Sequence, residues 1–158
     1  MPESSYETLR YEVNSGIAEI ILDRPPLNLI DRDSTLEYHA ALKIADADSD
    51  VRVIIISGAG KGLSGGVDLK YLEKFESADM REFLHLFYVE TLQIIRGLNK
   101  PIIAAVHGYA REGACTLAFA CDMIIAADDV HTDIEPLAVA KLLKAVIDEE
   151  KPGLVLAG

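Results

Sequence analysis

The sequence predicts an α/β domain. Val51 to Ile56, with five β-branched residues in six, is too apolar for a solvated edge and reads as a buried strand, as does Ile102 to Val106. A helix-period stretch, Ser34 to Ala47, precedes the first of these strands, and a hairpin pattern precedes the helix. Strand, helix and strand in succession exclude an all-β fold.

Leu9, Tyr11 and Val13 alternate with polar residues, and Ile20 and Leu22 do so after the turn signal Asn14-Ser15-Gly16, so Thr8 to Leu22 reads as a β-hairpin. Arg24-Pro25-Pro26-Leu27-Asn28 is a proline-stiffened loop that ends the second strand. Ser34 with Glu37 has the form of a capping box, and Leu36, Ala40, Ile44 and Ala47 follow at helical spacing. The run Gly58 to Gly66 lacks the third glycine of a dinucleotide fingerprint and the Gly-Lys-Ser/Thr of a P-loop. Its glycines allow either close approach to a ligand or a plain surface loop.

Met80 to Leu98 is amphipathic, with Met80, Phe83, Leu84, Phe87, Leu92 and Ile95 on one stripe of the kind that forms core. Beyond Ile102 to Val106 come a glycine turn at Gly108, a small-residue helix from near Gly113 and a further buried strand, Met123 to Ala127. A helix from Pro136 and a short strand, Leu154 to Ala157, close the reading.

The chain has 158 residues, half of them hydrophobic, enough for one domain with a real core. A formal charge of −11 opposes binding to nucleic acid or to an anionic membrane, both of which need cationic surface. Met1 to Glu7 lacks the cationic and apolar regions of a signal peptide, no apolar run reaches the roughly 20 residues of a membrane span, and a cytoplasmic protein is expected. The two cysteines, Cys115 and Cys121, lie on one expected helix and point apart, which excludes a disulfide between them. The four histidines show no metal-ligand spacing, so no metal is assigned. His107, at a strand end, reads as a hydrogen-bonded structural residue or as a base.

Val-His-Gly-Tyr-Ala-x-x-Gly-x-Cys-x-Leu-Ala-x-x-Cys-Asp, from Val106, resembles the central signature of the crotonase (enoyl-CoA hydratase/isomerase) superfamily. Arg24 to Asn28 and Gly62-Leu63-Ser64-Gly65-Gly66-Val67-Asp68-Leu69 match its two earlier motifs in order, and the Arg-Pro-Pro-Leu-Asn variant is most similar to cyclic dienoyl-CoA hydratases. The resemblance implies a crotonase-like (ClpP/crotonase) ββα spiral core, truncated, over residues 1–129. Residues 130–158 form an appended helix-strand tail, whose wording from His131 is similar to a segment of the electron-transfer flavoprotein beta subunit. No flavin residue comes with that segment.

The same resemblance implies an acyl-CoA thioester as partner, association with further copies of the chain, and no bound cofactor, coenzyme A entering as part of the substrate. It makes the Val67 amide the first donor of an oxyanion hole and gives the second to Gly113. Pro26, Leu27, Gly65, Gly66 and Asp68 would border the CoA. Asp68, a carboxylate next to an expected donor, invites a catalytic reading, against which stands the favoured structural one, that it fixes its loop or caps the next turn.

The expected carboxylates are the departure. Family hydratases carry a glutamate three residues after the second donor, and that position is Thr116 here, whose unassisted hydroxyl is no general base at neutral pH. Glu112 replaces a family glycine four residues before Thr116, and reads either as a substitute carboxylate or as a solvated first-turn glutamate favoured by the helix dipole. The sequence therefore leaves two functions open, a hydratase/isomerase acting on an unsaturated acyl-CoA and a catalytically weak acyl-CoA-binding or oligomerising module.

Overall fold

A computed structural model of the chain describes residues 6–127. The elements begin with β1 (Leu9–Asn14), β2 (Ile17–Leu22), α1 (Arg32–Ala47), β3 (Val53–Gly58), β4 (Gly62–Ser64) and α2 (Leu69–Leu72). There follow α3 (Ser77–Leu84), a π-helical segment (His85–Glu90), α4 (Thr91–Gly97), β5 (Ile102–His107), β6 (Tyr109–Ala110), α5 (Gly113–Ala120) and β7 (Met123–Ala127). The expected helix from Pro136 and strand from Leu154 lie outside the described residues.

The hairpin forms as the sequence predicts, with Asn14 opposite Ile17. Ser15 at φ 52° and Gly16 at φ 85° both take the left-handed conformation that a two-residue type I′ turn demands. β2 then pairs in parallel with β3, and the five-stranded sheet runs β1-β2-β3-β5-β7. Because Ile17 aligns with Val53 and Leu22 with Gly58, β3 starts and ends two residues beyond the β-branched run. Val51 is instead buried in the preceding turn, where its amide donates to Asp48 O.

Side chains alternate across this sheet. Ile20, Ile54, Ile56, Ile102 and Ala104 pack one face against Tyr38, Leu42, Phe83, Phe87, Ile95 and Leu117, while Ile55, Ile103 and Ala105 gather on the other. β7 was expected to be buried, yet Met123 is 50 % and Ile124 43 % exposed. Its place at the end of the strand order explains this: among the described residues it pairs with β5 alone.

α1 starts earlier than its sequence signal and turns the opposite face inward. Asp31 is the N-cap, its Oδ1 accepting from Ser34 N at 2.9 Å while Ser34 Oγ accepts from Asp31 N at 2.9 Å. Glu37, expected to complete a box with Ser34, accepts instead from the amides of Glu7 and Thr8 and from Thr8 Oγ1, tying the chain ahead of β1 to the helix. Leu36, Ala40, Ile44 and Ala47 face solvent, and Tyr38, Ala41, Leu42 and Ala45 meet the core. Both stripes have helical spacing, so periodicity alone could not say which one is buried. The Lys100 ammonium donates to the Ala45 and Asp48 carbonyls at the far end of α1, a cation placed where the helix dipole favours one.

The expected stripe from Met80 to Leu98 is interrupted by the π-helical segment, which shifts the inward positions. Phe83, Leu86, Phe87, Thr91 and Ile95 are buried, whereas Leu84 is 39 % exposed. Thr91 Oγ1 lies 2.7 Å from His39 Nε2, joining α4 to α1 within the core. Burial first, and then the Lys43 charge, hold the His39 pKa below its ordinary 6.5. The unfolded chain therefore binds the proton more readily, so this part of the stability is complete above about 6.5 and lost as pH falls through the folded value. Thermal unfolding followed from pH 7 downward should show Tm declining below about 6.5, and the decline should be smaller in His39→Gln.

Candidate functional site

Three segments meet at the N-terminus of α5, and Asn28 sets the arrangement. It is 3 % exposed at φ 51°, a conformation asparagine tolerates better than most residues. Its Oδ1 accepts from Arg24 N at 3.0 Å, and its Nδ2 donates toward the carbonyls of Ala59, Gly62 and Leu63 at 2.9, 3.2 and 3.2 Å. One side chain thus binds the proline loop to the glycine-rich run. Leu27 O accepts from Gly65 N at 2.7 Å, Gly66 O from Ile30 N at 2.9 Å, and Ile30 O from Asp68 N at 2.8 Å.

The glycine-rich run is ordered into β4, which pairs with β6. Arg111 N donates to Ser64 O at 3.1 Å, bringing the start of α5 beside Gly66 and Val67. Gly113 comes so close to this wall that a Cβ there would lie 2.7 Å from Phe87 Cε1 and 3.4 Å from Val67 Cγ2.

Glu112 is the N-cap of α5, at φ 49° and ψ −112°, a backbone conformation suited to glycine. Its carboxylate turns back across the site: Oε2 accepts from the Val67 amide at 3.0 Å, and Oε1 accepts from the Tyr88 hydroxyl at 3.1 Å. Burial alone would raise the Glu112 pKa, but the hydrogen bonds from the Val67 amide and Tyr88, with the adjacent Gly113 amide, outweigh it and hold the carboxyl below its ordinary value. The arrangement sets the Val67 amide and the Tyr88 hydroxyl on one carboxylate at a helix N-terminus, a place where negative charge on oxygen is stabilised.

Val67, Gly113, Glu112 and Gly66 are therefore brought together, with Gly65 and Leu27 one hydrogen bond away. Pro26 lies on the rim, its carbonyl accepting from the Tyr109 hydroxyl at 3.3 Å. Asp68 turns away to cap α2, accepting from the Lys70 and Tyr71 amides, and pairs with Arg24 at 3.5 Å. That is the capping alternative the sequence left open, and it commits the Asp68 side chain to α2 and Arg24. Thr116 is half-buried one turn into α5, its amide donating to Glu112 O at 3.3 Å, and it is not among the partners of the Glu112 carboxylate. Arg111 lies over the Tyr109 ring, 5.6 Å from its centroid. His107 Nε2 lies 2.9 Å from Gly60 O, which gives it a structural partner.

Tyr88, Asn28 and Asp122 were not singled out from the sequence. Asp122 Oδ2 accepts from Ile102 N at 2.9 Å and Asp122 N donates to Ile102 O at 2.9 Å, fixing the turn between α5 and β7 against β5. The Cys-Asp pair at the end of the central motif was the available signal for it. Cys115 and Cys121 are both free thiols, and burial, with the Asp122 charge second, pushes the Cys121 thiol up to about 12. Among the described residues no helix is long and apolar enough to cross a membrane.

Comparison with known proteins places this site in context. The sequence pattern of the Enoyl-CoA hydratase/isomerase family matches residues 12–134. The chain is 33 % identical over 127 residues to a crotonyl-CoA hydratase of Syntrophomonas wolfei, covering 79 % of this chain and 48 % of the relative. It is 42 % identical over 123 residues to a carnitinyl-CoA dehydratase of Salmonella arizonae, covering 77 % and 46 %. A crystal structure of an enoyl-CoA hydratase/isomerase from Xanthobacter autotrophicus superposes with a TM-score of 0.74 at 37 % identity, over 80 % of this chain and 48 % of that one. The chain thus spans about half the length of the curated relatives it matches.

Proposed function

The chain belongs to the enoyl-CoA hydratase/isomerase family and has its crotonase-type α/β fold, and from that premise we propose that it binds an acyl-CoA thioester with the carbonyl oxygen on the Val67 and Gly113 amides. The observation that carries this reading is the Glu112 carboxylate, which already accepts from the Val67 amide beside Gly113 and stands in for the charge an enolate-like oxyanion would develop. The names of the relatives, a crotonyl-CoA hydratase and a carnitinyl-CoA dehydratase, support a CoA thioester with chemistry at the carbons next to the carbonyl. Pro26, Leu27, Gly65 and Gly66 border the CoA, which is part of the substrate here, with no resident cofactor.

Water addition to an unsaturated acyl-CoA is the reaction class that fits. The Arg24 to Asn28 wording adds a cyclic dienoyl-CoA as a candidate substrate. A cytoplasmic homo-oligomer, with residues 1–129 as the acyl-CoA-binding domain and 130–158 as a tail of electron-transfer flavoprotein wording, completes the proposal.

A second reading, a catalytically weak acyl-CoA-binding or oligomerising module, is favoured by two particulars. Thr116 stands where the family glutamate is expected, and Glu112 is held by the donors. General acid–base help is worth about 10²–10⁴ in rate per group. Hydration of crotonyl-CoA and of a cyclic dienoyl-CoA, measured beside a binding titration, separates the two. Saturable binding with turnover lower than in a glutamate-bearing relative by at least about 10² is expected, and turnover at an ordinary enzymatic rate would refute the weak-module reading.

A further inference from the structure

We propose that Glu112 is an internal ligand of the Val67 amide, an autoinhibitory contact that any thioester carbonyl seated on the Val67 and Gly113 amides must displace. A backbone amide in a binding site has room for one strong acceptor, and the Val67 amide already has one, Glu112 Oε2 at 3.0 Å. The Tyr88 hydroxyl, from the π-helical segment, steadies the other oxygen at 3.1 Å, so the carboxylate is held at both ends. A charge-assisted bond of this kind is stronger than the bond a neutral thioester carbonyl makes to the same amide. Only when charge develops on the substrate oxygen does the exchange become even.

The packing supports the same conclusion. Gly66, at φ 93°, lies directly beneath the carboxylate: a Cβ there would come within 3.0 Å of Glu112 Oε2 and 3.3 Å of Glu112 Cβ. The backbone at Glu112 itself is strained for any residue with a side chain, a conformation that persists where its surroundings enforce it. A glycine at 112 would relieve that strain and leave the amides open. Occupancy of the Val67 amide by Glu112 is read from the geometry alone; its effect on ligand binding rests on the acyl-CoA reading.

An internal ligand present about nine-tenths of the time weakens external binding about tenfold. The test compares the intact chain with Glu112→Gly and Glu112→Gln, reading amide proton shifts and exchange at Val67 and Gly113 and titrating each protein with crotonyl-CoA. Without ligand, the Val67 amide should move upfield and exchange faster in Glu112→Gly, with Glu112→Gln between the two. Crotonyl-CoA should bind Glu112→Gly about tenfold more tightly than the intact chain. A Val67 amide that is unmoved by both substitutions overturns the proposal, because the carboxylate then does not occupy it. A Val67 amide that moves while the affinity stays equal also overturns it, because the contact then does not compete. If the amide moves as expected and none of the three proteins binds crotonyl-CoA, the occupancy stands and the acyl-CoA reading fails.

Discussion

Gly108→Ala should destabilise the fold by about 3 kcal/mol or more, seen as a fall in Tm of roughly 6–12 °C. Gly108 joins β5 to β6 at φ +54°, and a Cβ there would lie 1.9 Å from Lys61 O, a backbone atom that cannot swing aside. The main chains of the two strands would have to part. The bridge between Gly62 and Gly108 and the pairing of β4 with β6 hold Arg111 beside Ser64, so the same shift would loosen the donor pair. Gly60→Ala is the control: Gly60 has φ +75°, but no atom of the described residues lies within 4 Å of its Cβ position. It should lose only the backbone term, about 1–2 kcal/mol. Equal falls in Tm for the two variants would show that the close approach at Gly108 is not real.

Asn28→Ala should cost about 2–4 kcal/mol, because it strips the Arg24 amide and three carbonyls of a buried partner at once. Alanine also accepts the φ of 51° poorly. Asn28→Asp keeps the acceptor for Arg24 N but turns an oxygen toward the Ala59, Gly62 and Leu63 carbonyls, and should be at least as damaging. Denaturant unfolding reads both variants, and a change within about 0.5 kcal/mol for Asn28→Ala would contradict the structural role.

Strand existence was legible because a run such as Val53 to Ile56 can only be buried on both faces, and the hairpin was legible because Ser15-Gly16 can supply two positive φ values. Much of the rest depends on partners distant in sequence. Nothing local to Glu37 indicates that it would bind Glu7 and Thr8 instead of its own helix, and nothing in Leu36 or Ile44 indicates that the sheet lies on the other side. The π-helical segment places Tyr88 and Thr91 by a one-residue shift that helical periodicity does not encode.

For the site, the motifs placed Val67 and Gly113 in order along the chain, and the fold brings them together. The behaviour of Glu112 was hidden for a physical reason. A glutamate at the first turn of a helix ordinarily extends into water, and only the glycine-like backbone at φ 49°, together with the bare surface of Gly66, folds it back onto Val67.

The most direct measurement of the thioester site is a pair of amide-shift titrations on Glu112→Gly, one with crotonyl-CoA and one with the S-butyl-CoA thioether, which lacks the carbonyl. The expected result is saturable movement of the Val67 and Gly113 amides with the thioester and its absence with the thioether. Saturation by crotonyl-CoA that leaves both amides unmoved, with the shifts gathered elsewhere, would contradict the assignment of this donor pair as the oxyanion site.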